Sequence, residues 1–383
     1  MREEAQLTGL CKRCATRIFP TESAGTYTPV SEQKCSICRG LFMRVEDFAA
    51  MAVEALRSVD YDTFWIGSRL EFGTAERERQ LAGVELEPSR TLKVELNREI
   101  GKQVSAMTGK EGSASNADVT VIVDTAFGVC QLEIRPLFVY GKYRKLVRGI
   151  PQTRWLCRKC RGAGCGYCNF RGKMYETSVQ ELIAPPLMEV FQAKDNFFHG
   201  MGREDIDAVM LGDGRPFIME LREPGRRHAS LVDVEREINR RNEGVVEVSG
   251  LSLTTRDAVR KLKTASPGKV YLVRFRTADK VNKELLTQVF EDISNSKISQ
   301  RTPTRVLHRR ADLIRERRII ACRLESYEDG LIAAEVEAEA GTYIKELVTG
   351  DSGRTVPSIS ELLGTDCTVE SLDVLRVLEE EEW

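Results

Sequence analysis

The sequence predicts an α+β protein. A mixed, mostly antiparallel sheet with flanking helices fills the second half, preceded by a smaller α/β module and accompanied by four-cysteine metal modules. Three observations predict it. Segments rich in β-branched and aromatic residues alternate with amphipathic helical stretches. Eight of the eleven cysteines fall into four Cys-x-x-Cys pairs. The 383 residues, 42% of them hydrophobic, suffice for roughly two or three domains with buried cores.

Residues 1–45 carry Cys11/Cys14 and Cys35/Cys38, with 20 residues between the pairs. This is zinc-ribbon spacing, each pair closing half of one tetrahedral thiolate site. The three histidines (His199, His228 and His308) are remote from it, so an all-thiolate site is expected. The segment is poor in apolar residues, and metal would hold it folded. Its start, MREEAQLTGL, has neither an apolar signal core nor the Arg-rich character of a transit peptide. Cysteines paired for metal and not for disulfides predict a reducing, cytoplasmic setting. No apolar run reaches the ~18 residues of a membrane span. Cys130, Cys322 and Cys367 stand alone and are expected to be structural.

Residues 46–154 read as the α/β module. Its first helix, VEDFAAMAVEALR (45–57), puts Val45, Phe48, Ala49, Ala52, Val53 and Leu56 on one face. DVTVIVD (118–124) and QLEIRPLFVY (131–140) predict strands after the small-polar loop 108–116. The module ends in YGKYRKLVRGIPQTRW (140–155), where Lys142, Arg144, Lys145, Arg148 and Arg154 interleave with Tyr140, Tyr143 and Trp155. Cations beside rings predict an RNA surface. With a net charge of −1, any RNA-binding charge must be gathered locally.

Residues 155–172 pack Cys157, Cys160, Cys165 and Cys168 into a glycine-rich loop, a second four-thiolate site. Residues 173–383 read as the large domain. Strands are predicted at 243–254, 269–277 and on either side of Glu328–Asp329–Gly330, a helix at 283–294, and a solvated acidic tail at Glu379–Glu382. The densest motif is GMGREDIDAVMLGDGRPF (200–217). Asp205 and Asp207 share a side if extended, and Arg203 and Arg215 flank them. Arginines favour an ionised carboxylate. A glycine-rich loop with a capping Asp has the same composition.

The run GREDID…LGDGRPF resembles the catalytic-aspartate motif of pseudouridine synthases, and more closely that of the archaeal-type "Pus ten" family. The stem Gly202–Arg203–Glu204–Asp205 places the catalytic Asp at Asp205, with Asp207 its rival, and Arg203 at the substrate. QRTPTRVLHRRADLIRERRI (300–319) is similar to another family segment, implying phosphate contacts from Arg305, Arg309 and Arg310. AGTYIKELVTG resembles the family's Gly-Thr-Tyr-Ile-Lys motif, so Lys345 would be the basic partner of the Asp, while Tyr343 and Ile344 line the uracil pocket. KVYLVRF carries the family's tyrosine at Tyr271, and Leu372 would close the pocket. The resemblance spans essentially the whole chain and makes the central module THUMP-like. It implies a tRNA pseudouridine synthase acting on T-loop uridine 54, 55 or both. Zinc would be structural, and catalysis would need no cofactor. No G-x-G-x-x-G after a strand and no G-x-x-x-x-G-K-[ST] loop is present, so no nucleotide cofactor is expected. The alternatives are another THUMP-type tRNA-modifying enzyme and a non-catalytic zinc-ribbon tRNA-binding protein, which would leave the 200–224 and 340–364 motifs unexplained.

Overall fold

The computed structural model describes residues 9–18, 28–82, 86–308 and 310–378; Arg309 and the acidic run 379–382 lie outside the described residues. The chain divides into two units. The first holds the described residues up to Pro136 with Phe191–Asp195 and Arg222–Ala229. The second holds Leu137–Val190, Asn196–Leu221 and the described residues from Ser230 onward.

In the first unit, β1 (Thr63–Arg69), β2 (Glu111–Gly112), β3 (Val119–Asp124) and β4 (Val129–Ile134) form a sheet in the order β2-β1-β3-β4. Alternation in β3 buries Val119, Val121 and Val123. Helices α1 (Lys12–Ile18), α2 (Val45–Leu56), α3 (Thr74–Ala82) and α4 (Leu92–Thr108) accompany it. On α2 the expected face is buried, with Val53 only partly so. Helix α4 starts at Thr91, whose hydroxyl accepts from Val94 N, buries Leu92, Leu96, Ile100 and Val104 at every fourth position, and stops at Gly109 in the left-handed region. These stripes share one core with Cys11, Cys14, Cys35 and Cys38. The first cysteine segment thus packs into the module that follows it.

The second unit holds one large sheet. Its strands are β5 (Leu137–Lys145), β6 (Asp195–Gly200), β7 (Met210–Arg222), β8 (Val246–Thr254), β9 (Lys269–Thr277), β10 (Lys297–Arg301), β11 (Ile314–Glu328), β12 (Leu331–Ala338), β13 (Thr355–Val356) and β14 (Cys367–Val377). They run β13-β10-β11-β12-β9-β14-β7-β5-β8, with β6 paired to β7. Every neighbouring pair along this order is antiparallel except β14–β7, which is parallel and joined at Val374↔Met210. The helices are α5 (Val179–Phe191), α6 (Leu231–Arg241), α7 (Arg256–Thr264), α8 (Lys283–Ile293), α9 (Ile344–Thr349) and α10 (Ile359–Leu363). Asn282 caps α8, whose Leu286, Val289, Phe290 and Ile293 join Val273 and Phe275 of β9 in the core. Each such side chain contributes about 1.5–3 kcal/mol by burial. Among the described residues, no helix is long and apolar enough to cross a membrane.

Two expectations change. The stretch 131–140 is not one strand: β4 ends before Arg135–Pro136 and β5 begins a different sheet. Pro136 has no N–H to extend the ladder. The basic run 140–155 is not an outward RNA surface throughout. Alternation along β5 turns Tyr143 and Lys145 inward, both fully buried.

Candidate active site

The loop between β6 and β7 carries Asp205. Two glycines at the start of β7 let other strands approach it. A Cβ on Gly212 would lie 2.1 Å from Leu375 O of β14, and one on Gly214 would lie 2.8 Å from Tyr143 O of β5. Both have positive φ, as glycine permits.

Beneath the loop sits a buried polar network. Glu204 accepts from the Tyr143 hydroxyl at 2.8 and 2.9 Å and pairs with Arg215 Nε at 2.9 Å, both side chains being 1% exposed. Arg215 Nη1 also donates to Met201 O at 2.8 Å, and Gln152 Nε2 donates to Tyr143 Oη and Gly202 O. Burial pushes the Tyr143 phenol well up, and the Glu204 charge adds to it.

The end of β5 cradles the turn that holds Asp205. Lys145 Nζ donates to the carbonyls of Ile150 (3.1 Å), Asp205 (3.2 Å) and Ile206 (3.2 Å). Gly149 N donates to Ile206 O at 2.9 Å, and Arg148 Nη1 to Asp207 O at 2.6 Å. Arg148 Nη2 is 2.6 Å from Asp373, which Arg274 also holds at 3.2 Å. Burial lowers the Lys145 pKa, with Glu204 and Asp207 acting the other way.

Above the turn, the carboxylates meet cations from distant segments. Asp205 Oδ2 lies 3.3 Å from Arg305 Nη1 and 3.5 Å from Lys345 Nζ. Lys345 Nζ also donates to Asp207 Oδ2 at 2.8 Å. Arg305 sits on a one-turn 3₁₀ helix at Thr304–Val306 and is aimed by Glu346 at 2.7 Å. Lys345 follows from the pattern of α9, where Ile344, Leu347 and Val348 turn into the core and Lys345 turns out. Partial burial pushes the Asp207 carboxyl up, but the hydrogen bond and charge of Lys345 more than offset this, holding it below the ordinary carboxylate value.

These groups line a cleft of about 380 Å³. Asp205, Asp207, Lys345, Arg305, Arg310 and Arg203 are all in its wall, with Trp155, Glu204 and Ile206. The Arg203 guanidinium lies 4.6 Å from the centroid of the Trp155 ring. Arg310 Nη1 donates to Tyr343 Oη at 3.2 Å, and the buried Gln300 amide clamps the Tyr343 backbone through both N and O. Three expected residues lie elsewhere. Tyr271, on β9, is largely buried and outside this wall, its phenol pushed up to about 12 by burial, with the Asp205 charge adding. Ile344 and Leu372, 2% and 8% exposed, belong to the hydrophobic core, where apolar side chains at the start of α9 and on β14 are satisfied by packing. Sequence reasoning missed Glu204, Lys145 and Trp155 as site components. A period-2 reading of β5 through Val139, Gly141, Tyr143 and Lys145 would have placed Lys145 inside.

Both cysteine quartets assemble. Cys11, Cys14, Cys35 and Cys38 bring their sulfurs within 4.8 Å of one another, as do Cys157, Cys160, Cys165 and Cys168. The separations Cys11–Cys38 (3.8 Å), Cys157–Cys165 (3.9 Å), Cys160–Cys168 (3.8 Å) and Cys165–Cys168 (3.8 Å) are far longer than a disulfide. They fit the edge of a tetrahedron with metal–sulfur bonds of about 2.3 Å, which is about 3.8 Å. Gly164 N and Gly172 N donate to Cys160 and Cys168 sulfurs at 3.2 Å, as thiolates require.

Comparison with known proteins gives a consistent result. A family model described as "Pus10, C-terminal" matches residues 138–378, and one described as "Pus10 THUMP domain, archaeal" matches 48–124. A relative from Archaeoglobus fulgidus named tRNA pseudouridine synthase Pus10 is 42% identical over 350 residues, 91% of this chain and 96% of its own. Relatives of the same name from Methanopyrus kandleri and Methanocaldococcus jannaschii are each 41% identical, covering 92% and 91% of this chain and 82% and 76% of their own. A solved chain described as "Crystal Structure of a Cbf5-Nop10-Gar1 Complex" is 16% identical, covering 63% of this chain and 50% of that one with a TM-score of 0.35. That last likeness is too distant to bear on function.

Proposed function

The chain belongs to the Pus10 family, and on that premise we propose that it is a tRNA pseudouridine synthase in which Asp205 is the catalytic carboxylate. The observation that carries the assignment is the placement of one Asp205 oxygen near both Arg305 and Lys345, at 3.3 and 3.5 Å, in the wall of an open cleft. Two cations keep the carboxylate ionised and aimed, which suits a group that attacks or deprotonates the ribose.

The reaction is an isomerisation. The N1–C1′ bond breaks, the uracil turns, C5 bonds to C1′, and the proton lost from C5 is balanced by one gained at N1. No redox or group-transfer partner enters this balance. The uridine must leave its stack to reach Asp205. Arg203, Arg305 and Arg310 stand where phosphates around an extruded nucleotide would lie, and Arg309 belongs with them by sequence. Tyr271, a phenol at neutral pH, suits stacking and hydrogen bonding to the base more than work as a phenolate. Ile344 and Leu372 would support the base from the core side. The substrate positions are T-loop uridines 54, 55 or both.

Asp207 competes for the role, since its contact with Lys345 is shorter at 2.8 Å. It lies at the rim with a side chain 68% exposed, against 31% for Asp205, and Arg305 is paired with Asp205. Carbodiimide treatment and primer extension on unmodified tRNA, with no added cofactor, separate the two. Asp205→Ala should lose conversion by about 10³-fold or more while still binding tRNA, and Asp207→Ala should retain most of it. Full activity in Asp205→Ala excludes this mechanism. The two cysteine quartets fit zinc, and its contribution there is structural: it ties the 11–38 segment into the first unit's core and shapes the 157–168 loop.

A further inference from the structure

The second cysteine loop displays more than a metal knuckle needs. From Tyr140 to Tyr175 the chain has ten Lys and Arg residues and no Asp or Glu. Within the loop, Arg158, Lys159, Arg161 and Arg171 are exposed, and none is in an ion pair among the described residues. Two rings stand out beside them: Tyr167 is 59% exposed and Phe170 79%. Lys159 Nζ lies 6.0 Å from the Tyr167 ring centroid.

Phe170 is held outward by construction. Its φ is +59°, a region bulky side chains avoid. Its N–H is tied to Cys165 O at 2.9 Å, and a Cβ on Gly164 would come within 2.9 Å of its carbonyl oxygen. The metal quartet therefore fixes an exposed aromatic in a strained backbone position, and such strain collects at functional sites. The loop is also continuous with the cleft. Trp155, immediately before it, is part of the cleft wall and is braced edge-on by Tyr175. A bridge between Leu156 and Lys173 closes the loop's base.

We propose that loop 156–173 is an RNA-contacting arm, in which Tyr167 and Phe170 stack on unpaired bases while Arg158, Lys159, Arg161 and Arg171 meet the phosphates of the strand leaving the cleft. This rests on the synthase reading and names a further part of its substrate surface. Rings set among unpaired cations suit single-stranded nucleic acid, where every base offers a face to stack and every linkage a charge.

The test uses full-length zinc-loaded protein, an unmodified tRNA transcript and two variants, Arg158→Gln/Arg161→Gln/Arg171→Gln and Tyr167→Ala/Phe170→Ala. Affinity is measured by fluorescence anisotropy across a salt series. The arginine variant should flatten the slope of log affinity against log salt by about 2. The aromatic variant should weaken binding by about tenfold or more at an unchanged slope. Both should raise KM by a similar factor with kcat within about twofold. Elemental analysis checks that zinc is retained, and single Arg161→Gln and Phe170→Ala variants replace any multiple variant that loses it. Variants that bind tRNA with wild-type affinity and slope overturn the arm and leave the synthase reading intact. Wild-type protein that binds tRNA through this loop but converts no uridine overturns the synthase reading alone.

Discussion

At the scale of single residues, Lys345 has two dependants. It lies 2.8 Å from Asp207 and 3.5 Å from Asp205, so removing its ammonium leaves two carboxylates facing one another with Arg305 as the remaining cation. Because Asp207 titrates below its ordinary value of 3.8, its pairing stabilises the folded state above that pH. The contribution is lost as pH falls through the lower folded value. Lys345→Met should therefore melt below wild type at neutral pH, and the gap should close on acidification below about pH 3; a gap unchanged across this range contradicts the pairing. Glu204 is a different case. Its partners Arg215 and Tyr143 are buried, so Glu204→Ala strands a guanidinium and should cost about 3–5 kcal/mol, read as a lower midpoint in urea. A midpoint within error of wild type would mean that the pair is solvated.

At the scale of elements, the end of β5 does unexpected work. Lys145, Arg148 and Gly149 together hold the carbonyls of residues 205, 206 and 207. The segment that looks like an RNA surface in the sequence is in part the floor of the catalytic turn. Lys145→Met leaves three carbonyls short of a donor, about 1–3 kcal/mol of stability. It should also loosen Asp205 and lower kcat about 10- to 100-fold with KM within about threefold. A rise in KM alone, measured with the same tRNA, would return Lys145 to substrate contact. The other cations arrive similarly late. Arg305 comes from a single turn after Pro303, and Lys345 from a helix whose apolar positions bury the opposite face.

At the scale of the molecule, the two cysteine quartets differ in setting. The first is inside the core of the first unit, all four residues buried, while Cys160 and Cys165 of the second are only partly so. Two quartets predict two zinc ions per chain by elemental analysis, and no bound metal would refute both sites. Cys14→Ser should unfold the first unit at lower temperature while the large sheet keeps its own transition, since each unit has a separate core. A single unshifted transition in differential scanning calorimetry would count against the first metal site.

Local pattern carried the elements whose residues answer to one neighbourhood. Lys269–Thr277 and Lys283–Ile293 follow alternation and helical periodicity, and the four Cys-x-x-Cys pairs announce their own geometry. The family motifs pointed to Asp205, Arg305 and Lys345 as separate stretches about 40 to 100 residues apart. Sequence alone determined which residue types were available. Their meeting at one carboxylate oxygen was decided by tertiary structure, because a sheet whose neighbours come from distant segments sets which loops share a cleft. The same holds for Lys145, Ile344 and Leu372, whose exposure depends on which face of a strand or helix meets the core. Glu204 makes the point most sharply, since a carboxylate becomes buried structure only when a guanidinium and a phenol from other strands arrive beside it.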